Sequence, residues 1–250
     1  MKKTCLVLGS TGQDGSYLVD LLLERGFHVY AMVRKSATTN MVNLKHHMEG
    51  ETEKTDRFTL VRGDILDHAR IASIINDLRP DLIFNEADQD HVSWSYHSVE
   101  YSCDITGTAV ARILEIINLI GKDIKFFQPL SSNMFGKAEE TPQNEDTALR
   151  PQSPYAAAKI LAYVMCKYYR EVHGLHASTA IFYNHESVRR TTEYVTRKIT
   201  KAAARIKMGL QKEEKFGNLD TKLDFGYAPD YVEAAWNILQ LDYPDDFIIC

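Results

Sequence analysis

"TCLVLGSTGQDGSYLVDLLLERG" (residues 4–26) decides the fold, because it joins an apolar run to an amphipathic stretch through a turn that holds three glycines. The apolar run predicts a buried strand over 4–10. The leucine-rich stretch predicts a helix over 15–26 that ends at Gly26. The chain therefore opens with a strand, a tight turn and a helix.

The turn has the spacing G-x-x-G-x-x-G, with glycines at Gly9, Gly12 and Gly15. Glycines at a strand–helix junction permit close approach of a pyrophosphate to the helix N-terminus. A P-loop is excluded, because no Lys-Ser/Thr pair follows the last glycine. A merely structural turn is the alternative, and the position at the first strand–helix junction favours dinucleotide binding.

The same alternation continues along the chain. Apolar runs predict strands at 28–34, 58–64, 81–85, 124–132 and 176–184. Amphipathic stretches predict helices at 69–80, 107–121 and 153–174. This order predicts an α/β fold of the Rossmann type, a doubly wound parallel sheet with helices on both faces.

The regular alternation of strand and helix patterns ends after residue 184. A polar, basic segment leads to a helix at about 194–208, then to a short strand, another helix and the strand-like end "DDFIIC". We expect a Rossmann domain over 1–184 plus about 225–240. We expect a smaller lobe over 185–224 and 241–250, truncated at its C-terminal end because the natural protein continues.

The bulk composition excludes several classes of protein. Of the 250 residues, 44% are hydrophobic and 25% charged, and the net charge is 29 − 34 = −5. That balance argues against a nucleic-acid or anionic-membrane partner. The four cysteines form no C-x-x-C pair, and no segment approaches a membrane span in length. We expect a cytoplasmic, soluble protein without a structural metal.

The end of the second strand, "MVRKS", bears on cofactor choice. An acidic residue there would bind a ribose diol, whereas a basic one accommodates a 2′-phosphate. Arg34 and Lys35 therefore favour NADP, with a solvated basic strand end as the alternative. Asp64 ends the third strand, where an adenine would lie.

A catalytic group is predicted further along the chain. Tyr155 and Lys159 are four residues apart on one helix face, and Ser131 ends the preceding strand. An ammonium lowers the pKa of a nearby phenol, so Tyr155 can exchange a proton with a substrate hydroxyl, and Ser131 can bond the same hydroxyl. Beside a nicotinamide this arrangement supports alcohol oxidation by hydride transfer.

These residues resemble the extended short-chain dehydrogenase/reductases, and more narrowly the GDP-mannose 4,6-dehydratase family. The resemblance covers nearly the whole chain through the stretches "GSTGQDGSYLVDLLLERG", "VRGDILD", "NEADQDHVSWSY", "SSNMFGK", "PQSPYAAAKILAY", "FYNHESVRRTTEYVTRKIT" and "GNLDTKLDFGYAPDYVEA". It implies transient reduction of NADP by hydride from C4 of a GDP-hexose, loss of water across C5 and C6, and return of hydride to C6. It also implies a homodimer or homotetramer.

The resemblance also implies roles by position. NADP contacts are expected from Gly9, Ser10, Thr11, Gly12, Gln13, Asp14, Gly15, Arg34, Lys35, Ser36, Ala37, Asp64, Ile65, Ala87, Gln89, Tyr101, Lys159, His185 and Arg190. Substrate contacts are expected from Asn184, Arg197 and Lys198. A solvated basic face or an oligomer contact is the alternative for Arg189, Arg190, Arg197 and Lys198.

The chain departs from the family at three single positions. The family's proton-abstracting glutamate is replaced by Asn133, and an amide cannot take a proton from C5. Leu223 stands where an arginine on the nucleotide is expected, and Val188 replaces a proline.

The chain also carries Glu86, Asp88 and Asp90 where the family is apolar or small, next to the expected cofactor. Four interpretations remain open for this acidic run. It is a metal site completed by His91, a solvated strand end, a relocated base in which Asp90 or Asp88 replaces the missing glutamate, or a cause of lost function through repulsion of NADP phosphates. In the relocated site, mutual repulsion would raise the pKa of one carboxyl.

Three functions are therefore considered. The first is a 4,6-dehydratase acting on GDP-mannose or a related GDP-sugar. The second is a sugar-nucleotide epimerase or 4-ketoreductase, which Asn133 favours. The third is a catalytically impaired protein that binds NADP or a sugar nucleotide.

Overall fold

A parallel sheet forms the centre of the computed structural model, which describes residues 3–36, 41–48, 55–121 and 123–250. The strands in chain order are β1 (Thr4–Leu8), β2 (His28–Val33), β3 (Phe58–Arg62), β4 (Leu82–Asn85), β5 (Lys125–Ser131), β6 (Ala177–Phe182), β7 (Asn184–Glu186), β8 (Phe225–Tyr227) and β9 (Asp246–Ile249). Within the described residues, seven of them make one sheet in the order β3-β2-β1-β4-β5-β6-β9, and β7 pairs with β8 in a separate small sheet.

The helices cover both faces of the main sheet. They are α1 (Gln13–Glu24), α2 (His68–Leu78), α3 (Val92–Ser95), α4 (Val99–Cys103), α5 (Ala109–Ile120), α6 (Pro154–His173), α7 (Val195–Lys207) and α8 (Ala228–Gln240). Short 3-10 turns lie at Val42–His47, Thr55–Arg57 and Ser132–Met134, and a π-helical turn at Asp104–Thr108 joins α4 to α5. The predicted doubly wound parallel sheet is confirmed.

Each face of the sheet has its own apolar core. On one face α1 and α8 pack over residues such as Val7 and Phe127. On the other face α2, α5 and α6 pack over residues such as Leu6 and Phe126. Successive residues of β1 and β5 thus serve opposite cores, as the alternation of side chains along a strand requires.

Local sequence signals account for the helix ends. In α6 the side chain of Ser153 accepts a hydrogen bond from the backbone of Ala156, Pro154 occupies the first turn, and Gly174 follows the helix with a positive φ of 69°. In α2 the side chain of Asp67 caps the N-terminus in the same way. These ends are close to those expected from the sequence.

Two features differ from the sequence expectation. Helical structure before α5 begins at Val92, much earlier than the expected residue 107, because the short helices α3 and α4 carry no long amphipathic repeat.

The second difference concerns β9. It pairs with β6, its Phe247 and Ile249 pack on one core and its Ile248 on the other. The expected place of β9 in the smaller lobe is therefore wrong. The strand belongs to the main sheet, because its apolar residues pack alternately on the two cores. The remainder of the domain division stays a prediction.

Candidate active site

The glycine turn lies between β1 and α1, at the carboxyl edge of the sheet. Gly9 has a φ of +73°, and a Cβ there would lie 2.4 Å from the carbonyl oxygen of Glu86. A Cβ on Gly15 would lie 2.4 Å from the carbonyl oxygen of Gly9. Only glycine fits at either position, so the turn brings the start of α1 close to the chain after β4.

The N-terminus of α1 is open to an anion. Its N-cap residue is Gly12, which has no side chain to cap the first backbone N–H groups. A pyrophosphate is a suitable partner for such groups, which also carry the positive end of the helix dipole. The residues present therefore fit a dinucleotide.

One carboxylate in this first turn is already neutralised. Asp14 Oδ2 lies 2.8 Å from His185 Nε2, and the His185 ring stacks on Tyr231 at 4.3 Å between centroids. Burial alone would raise the pKa of Asp14 and lower the pKa of His185. The ion pair outweighs burial, so the pKa of Asp14 is lowered and the pKa of His185 is raised. His185 and Gln13, which donates to the His185 carbonyl at 3.1 Å, tie the turn to β7.

Ser131, Tyr155 and Lys159 come together as predicted. Ser131 is the last residue of β5, while Tyr155 and Lys159 lie one turn apart near the start of α6. The Ser131 hydroxyl lowers the pKa of the Tyr155 phenol, and Lys159 Nζ lies 5.7 Å from the centre of the Tyr155 ring. All three side chains are buried.

Lys159 has an unexpected partner. Its Nζ lies 2.6 Å from Asp88 Oδ2, and the two side chains are only 4% and 13% exposed. It also donates to the carbonyl of Pro129 at 2.8 Å. Asp88 Oδ1 accepts hydrogen bonds from the Thr106 hydroxyl and from the backbone of Gln89. Two of the three ammonium protons and both oxygens of Asp88 are thus occupied.

Lys159 lowers the pKa of Tyr155 as expected, but the pKa nevertheless lies above its usual value. Burial is the largest influence and raises the pKa of Tyr155, and Asp88 and Asp90 raise it further. Lys159 and the Ser131 hydrogen bond lower it, but they do not compensate. The two added carboxylates therefore oppose the effect that the sequence assigned to Lys159 alone.

Asn133 binds to Ser131. Its Nδ2 donates to Ser131 Oγ at 3.0 Å and its backbone N–H donates to the same oxygen at 3.2 Å. The Ser131 hydroxyl proton therefore remains free for the phenol or a substrate oxygen. Asn133 positions Ser131, and it has no basic group with which to take a proton.

Each acid of the run 86–90 has a different environment. The backbone carbonyl of Glu86 borders Gly9, and its side-chain Oε1 is buried without a hydrogen-bond partner. Burial and then Asp14 raise the pKa of Glu86 well above its usual value, against the influence of Lys159. Glu86 is therefore the carboxyl whose pKa is raised, whereas the sequence argument favoured Asp90 or Asp88.

Asp90 lies at the open end of the run. Its side chain is 55% exposed, and its Oδ2 lies 3.4 Å from Arg190 Nη1. Arg190 also covers the ring of Tyr194 at 3.4 Å and lies 3.6 Å from Glu186. Asp90 is the one acid of the run that combines exposure with an electrostatic influence on Tyr155.

The partners of the three acids argue against two of the open interpretations, the loss of function through repulsion of phosphates and the metal site completed by His91. Lys159 neutralises Asp88, Arg190 faces Asp90, and burial raises the pKa of Glu86, which disfavours its charged form. The run is therefore not a block of three free charges facing a phosphate. The acids also do not converge on one point with His91, whose Nδ1 is bonded to Ser93.

Other predicted contacts occupy a range of positions. Arg34, Lys35 and Ser36 are exposed after β2, and Ala37 lies outside the described residues. Ser10, Ile65 and Gln89 are buried; Thr11, Asp64, Ala87 and Tyr101 are half-buried. Their roles toward a cofactor stay predictions.

The predicted substrate residues lie near β7, β8 and α7. Asn184 Nδ2 donates to the carbonyl of Asp224 at 3.2 Å, and Arg197 Nε donates to the carbonyl of Arg190 at 3.2 Å. Lys198 pairs with Glu214 at 3.1 Å. Leu223 and Val188 are exposed. Their roles toward a substrate also stay predictions.

The contribution of Thr106 and the pairing of Lys159 with Asp88 are not predicted from the sequence. Thr106 lies in the π-helical turn, a segment that no periodic signal identifies. The presence of an acid beside a buried lysine could have indicated the pair, since a buried charge needs a counter-charge.

No helix among the residues that the model describes has the length and apolar character to cross a membrane.

Comparison with known proteins agrees with this geometry. A family model described as GDP-mannose 4,6 dehydratase matches residues 6–250. A GDP-mannose 4,6-dehydratase of Vibrio cholerae is 41% identical over 251 residues, which is 100% of this chain and 68% of the relative. The enzyme of the same name from Homo sapiens is 40% identical, over 99% of this chain and 68% of the relative.

Solved structures share the fold at lower identity. A UDP-N-acetylglucosamine 4-epimerase from Methanobrevibacter ruminantium has a TM-score of 0.85 at 22% identity, covering 100% of this chain and 77% of that one. A dTDP-glucose 4,6-dehydratase from Streptomyces venezuelae, solved with NAD, has a TM-score of 0.82 at 19% identity, covering 98% and 75%. With the match over residues 6–250, the chain belongs to the GDP-mannose 4,6-dehydratase family.

Proposed function

We propose that this protein is an NADP-dependent lyase that converts GDP-mannose to GDP-4-keto-6-deoxymannose. The observation that carries the proposal is the buried group of Ser131, Tyr155 and Lys159 beside a glycine turn that fits a dinucleotide, in a chain that matches the family from residue 6 to residue 250. The neutralised acids of the run 86–90 support binding of an anionic cofactor.

NADP is proposed over NAD because of the charge at the end of β2. Arg34 and Lys35 are exposed there, at the position that faces the 2′-position of an adenosine ribose in this fold. When bound, the nicotinamide ring would accept a hydride from C4 and later return it to C6. Gly9, Gly12 and Gly15 would hold the pyrophosphate.

The protein residues move protons in this scheme. Tyr155 takes the proton of the sugar O4 hydroxyl, which the Ser131 hydroxyl holds by a hydrogen bond. Because burial and two carboxylates raise the pKa of Tyr155, this step is favoured at higher pH than in a site without Asp88. Asn133 keeps Ser131 in place through two hydrogen bonds.

We assign abstraction of the C5 proton to Asp90. Asp88 is occupied by Lys159 and Thr106, the pKa of Glu86 is raised by burial and Oε1 of its carboxyl is buried, and Asn133 is an amide. Asp90 is exposed and lies close enough to Tyr155 to raise its pKa. The same carboxyl, once protonated, can assist departure of the C6 hydroxyl as water, and Tyr155 returns the proton taken from O4 to C5 when hydride reaches C6.

The test measures 4-keto sugar formed from GDP-mannose, with NADP binding measured separately. Asp90→Asn should lower turnover by about 10²–10⁴-fold while NADP still binds. Asp242→Asn, at an exposed acid, is the matched control and should keep full activity. The double variant Asp90→Asn with Asn133→Glu should regain turnover, because it returns a carboxylate to the family position.

The outcomes separate the parts of the proposal. Full activity of Asp90→Asn would contradict the assignment of the base but leave the dehydratase function in place. Absence of keto sugar from the unmodified protein, with NADP bound, would contradict the function itself.

Assembly and location complete the proposal. We propose a homodimer or homotetramer, supported by the exposed apolar side chains of Leu161, Val164 and Val172 on α6. A cytoplasmic location is supported by four free cysteines and the absence of a disulfide among the described residues. Light scattering would measure the assembly.

A further inference from the structure

A second polar cluster lies away from the proposed active site, between α1 and the turn Val42–His47. Asp20 Oδ1 lies 2.8 Å from His46 Nε2 and is also bonded to His47 Nε2. The three atoms lie within 4.8 Å of one another, and the imidazole rings are 4.0 Å apart. We propose that Asp20, His46 and His47 form a binding site for a divalent cation of the zinc type.

The direction of the two imidazoles is the first argument. Adjacent residues aim the same ring nitrogen at one carboxylate oxygen, so two nitrogens and one oxygen converge on a single region. Without an ion, both nitrogens must carry a proton to bond the carboxylate. A cation replaces both protons and accepts all three electron pairs. Ligand bonds of about 2.0–2.2 Å at tetrahedral angles hold the ligand atoms about 3.4 Å apart, so the carboxylate would withdraw from both imidazoles when an ion binds.

The burial of the cluster suits a site that an ion can enter. The side chain of His47 is 6% exposed and forms the inner wall, Asp20 is 23% exposed, and His46 is 49% exposed on the outer side. Water can complete the coordination on the open side. Imidazole nitrogens favour zinc, copper, nickel or cobalt over magnesium or calcium.

Arg189 orients the carboxylate of Asp20 from the side opposite the imidazoles. Its Nη2 donates to Asp20 Oδ2 at 2.6 Å, which leaves Oδ1 facing the imidazoles. The guanidinium is itself held over the ring of Tyr17 at 4.0 Å and bonded to Ser16 at 3.2 Å. Hydrogen bonds that orient a ligand from the side away from the ion are common at metal sites. The positive charge of Arg189 opposes the cation, so moderate rather than tight binding is expected.

Asp20 is available as an anion. Burial raises its pKa, but hydrogen bonds from His47, His46 and Arg189 outweigh burial and lower the pKa to about 2. The carboxyl is thus ionised at neutral pH.

An ion at this place would join the turn Val42–His47 to α1. Asn43, in the same turn, donates from Nδ2 to the carbonyl of Thr11 at 3.2 Å. The cation would therefore stabilise the chain that borders the glycine turn, and the apparent melting temperature should rise with added Zn²⁺.

The experiment uses the whole, untagged chain after removal of metal. Titration with Zn²⁺ by calorimetry should show one site per chain, and Co²⁺ should give visible ligand-field bands without a thiolate charge-transfer band. The exposed His46→Ala should weaken Zn²⁺ binding by at least about tenfold. His47→Ala should do the same, and His97→Ala, at an exposed histidine outside the cluster, should bind as the unmodified protein does.

Two results would overturn the site. One is Zn²⁺ binding that is equal in His46→Ala and His97→Ala. The other is a thiolate band with Co²⁺, which would place the ion on a cysteine such as the exposed Cys250. Because His46 lies on the surface, its variant should fold, and circular dichroism checks this independently of any metal.

Discussion

Helix α6 carries a buried ion pair near each end, and the two pairs differ in geometry and in use. Near its start, Lys159 meets Asp88 through one contact of 2.6 Å. Near its end, Arg170 meets Asp246 through two parallel contacts of 2.9 and 2.5 Å. Exposure is similar, at 4% and 13% for the first pair and 12% and 16% for the second.

The pair at the end of α6 is a structural device. The guanidinium fork matches the carboxylate, the Thr179 hydroxyl donates to Asp246 at 2.7 Å, and a cation in the last turn is favoured by the helix dipole. Together these contacts attach β9 to β6 and α6.

The pair at the start of α6 serves the proposed chemistry. Lys159 is a point charge whose remaining proton is free, and its carboxylate partner changes the electrostatics of Tyr155. Although burial lowers it, Asp88 raises the pKa of Lys159, so the ammonium stays charged. The two pairs are buried to a similar extent, but Arg170–Asp246 holds the fold together, whereas Lys159–Asp88 adjusts the pKa of a proposed proton-transfer group.

The largest effect is expected from Lys159→Met. This variant leaves Asp88 buried without a counter-charge and should lose about 3–5 kcal/mol of unfolding free energy, measured by urea denaturation. Activity should fall by about 10²–10⁴-fold. The double variant Lys159→Met with Asp88→Asn should regain most of the stability and none of the activity. Unchanged stability of the single variant would mean that the pair contributes nothing.

Arg170→Met should have the second-largest effect on stability. Loss of the fork leaves Asp246 largely buried, so about 2–3 kcal/mol should be lost, while turnover per folded molecule stays the same. Arg170→Lys keeps the charge without the fork and should lose about 1 kcal/mol. A drop in turnover at full folding would show that this pair is not purely structural.

Asp88→Asn tests the electrostatic role of the first pair. Because Asp88 raises the pKa of Tyr155, its removal should lower that pKa and shift the limb of the pH–rate profile that needs the phenolate to lower pH, by on the order of one unit. The measurement is kcat against pH, with Asp242→Asn as the control. A profile that keeps its position would rule out the proposed influence of Asp88.

The smallest effect is expected at an exposed pair. Arg25 and Glu233 are in contact, with side chains 35% and 45% exposed. Glu233→Gln should change the unfolding free energy by about 0.5 kcal/mol or less, and less still at high salt. A loss equal to that of Arg170→Met would show that burial does not explain the difference between the pairs.

Much of the fold could be predicted from local sequence. Apolar runs of strand length and amphipathic stretches with Ser, Pro and Gly at their ends located most strands and helices of the main sheet. The short helices α3 and α4 were missed because segments of four or five residues carry no periodic signal. The position of β9 beside β6 was not predicted, because strand order depends on contacts between residues that are far apart in the sequence.

The candidate site was predictable in part. Ser131, Tyr155 and Lys159 could be grouped because two lie on one helix and the third ends a parallel strand at the same edge of the sheet. The pKa of Tyr155 could not be predicted, because it depends on burial and on carboxylates that lie more than sixty positions away in sequence.

The sequence by itself determined the Rossmann order, the glycine turn, the Tyr155–Lys159 spacing and the replacement of a glutamate by Asn133. The environment of each acid in the run 86–90 follows from tertiary contacts. The fold buries Glu86 Oε1 and pairs Asp88 with Lys159 and Asp90 with Arg190. The physical reason is that the charge of a carboxyl depends on burial and on its nearest counter-charge, and the folded chain brings both from distant positions.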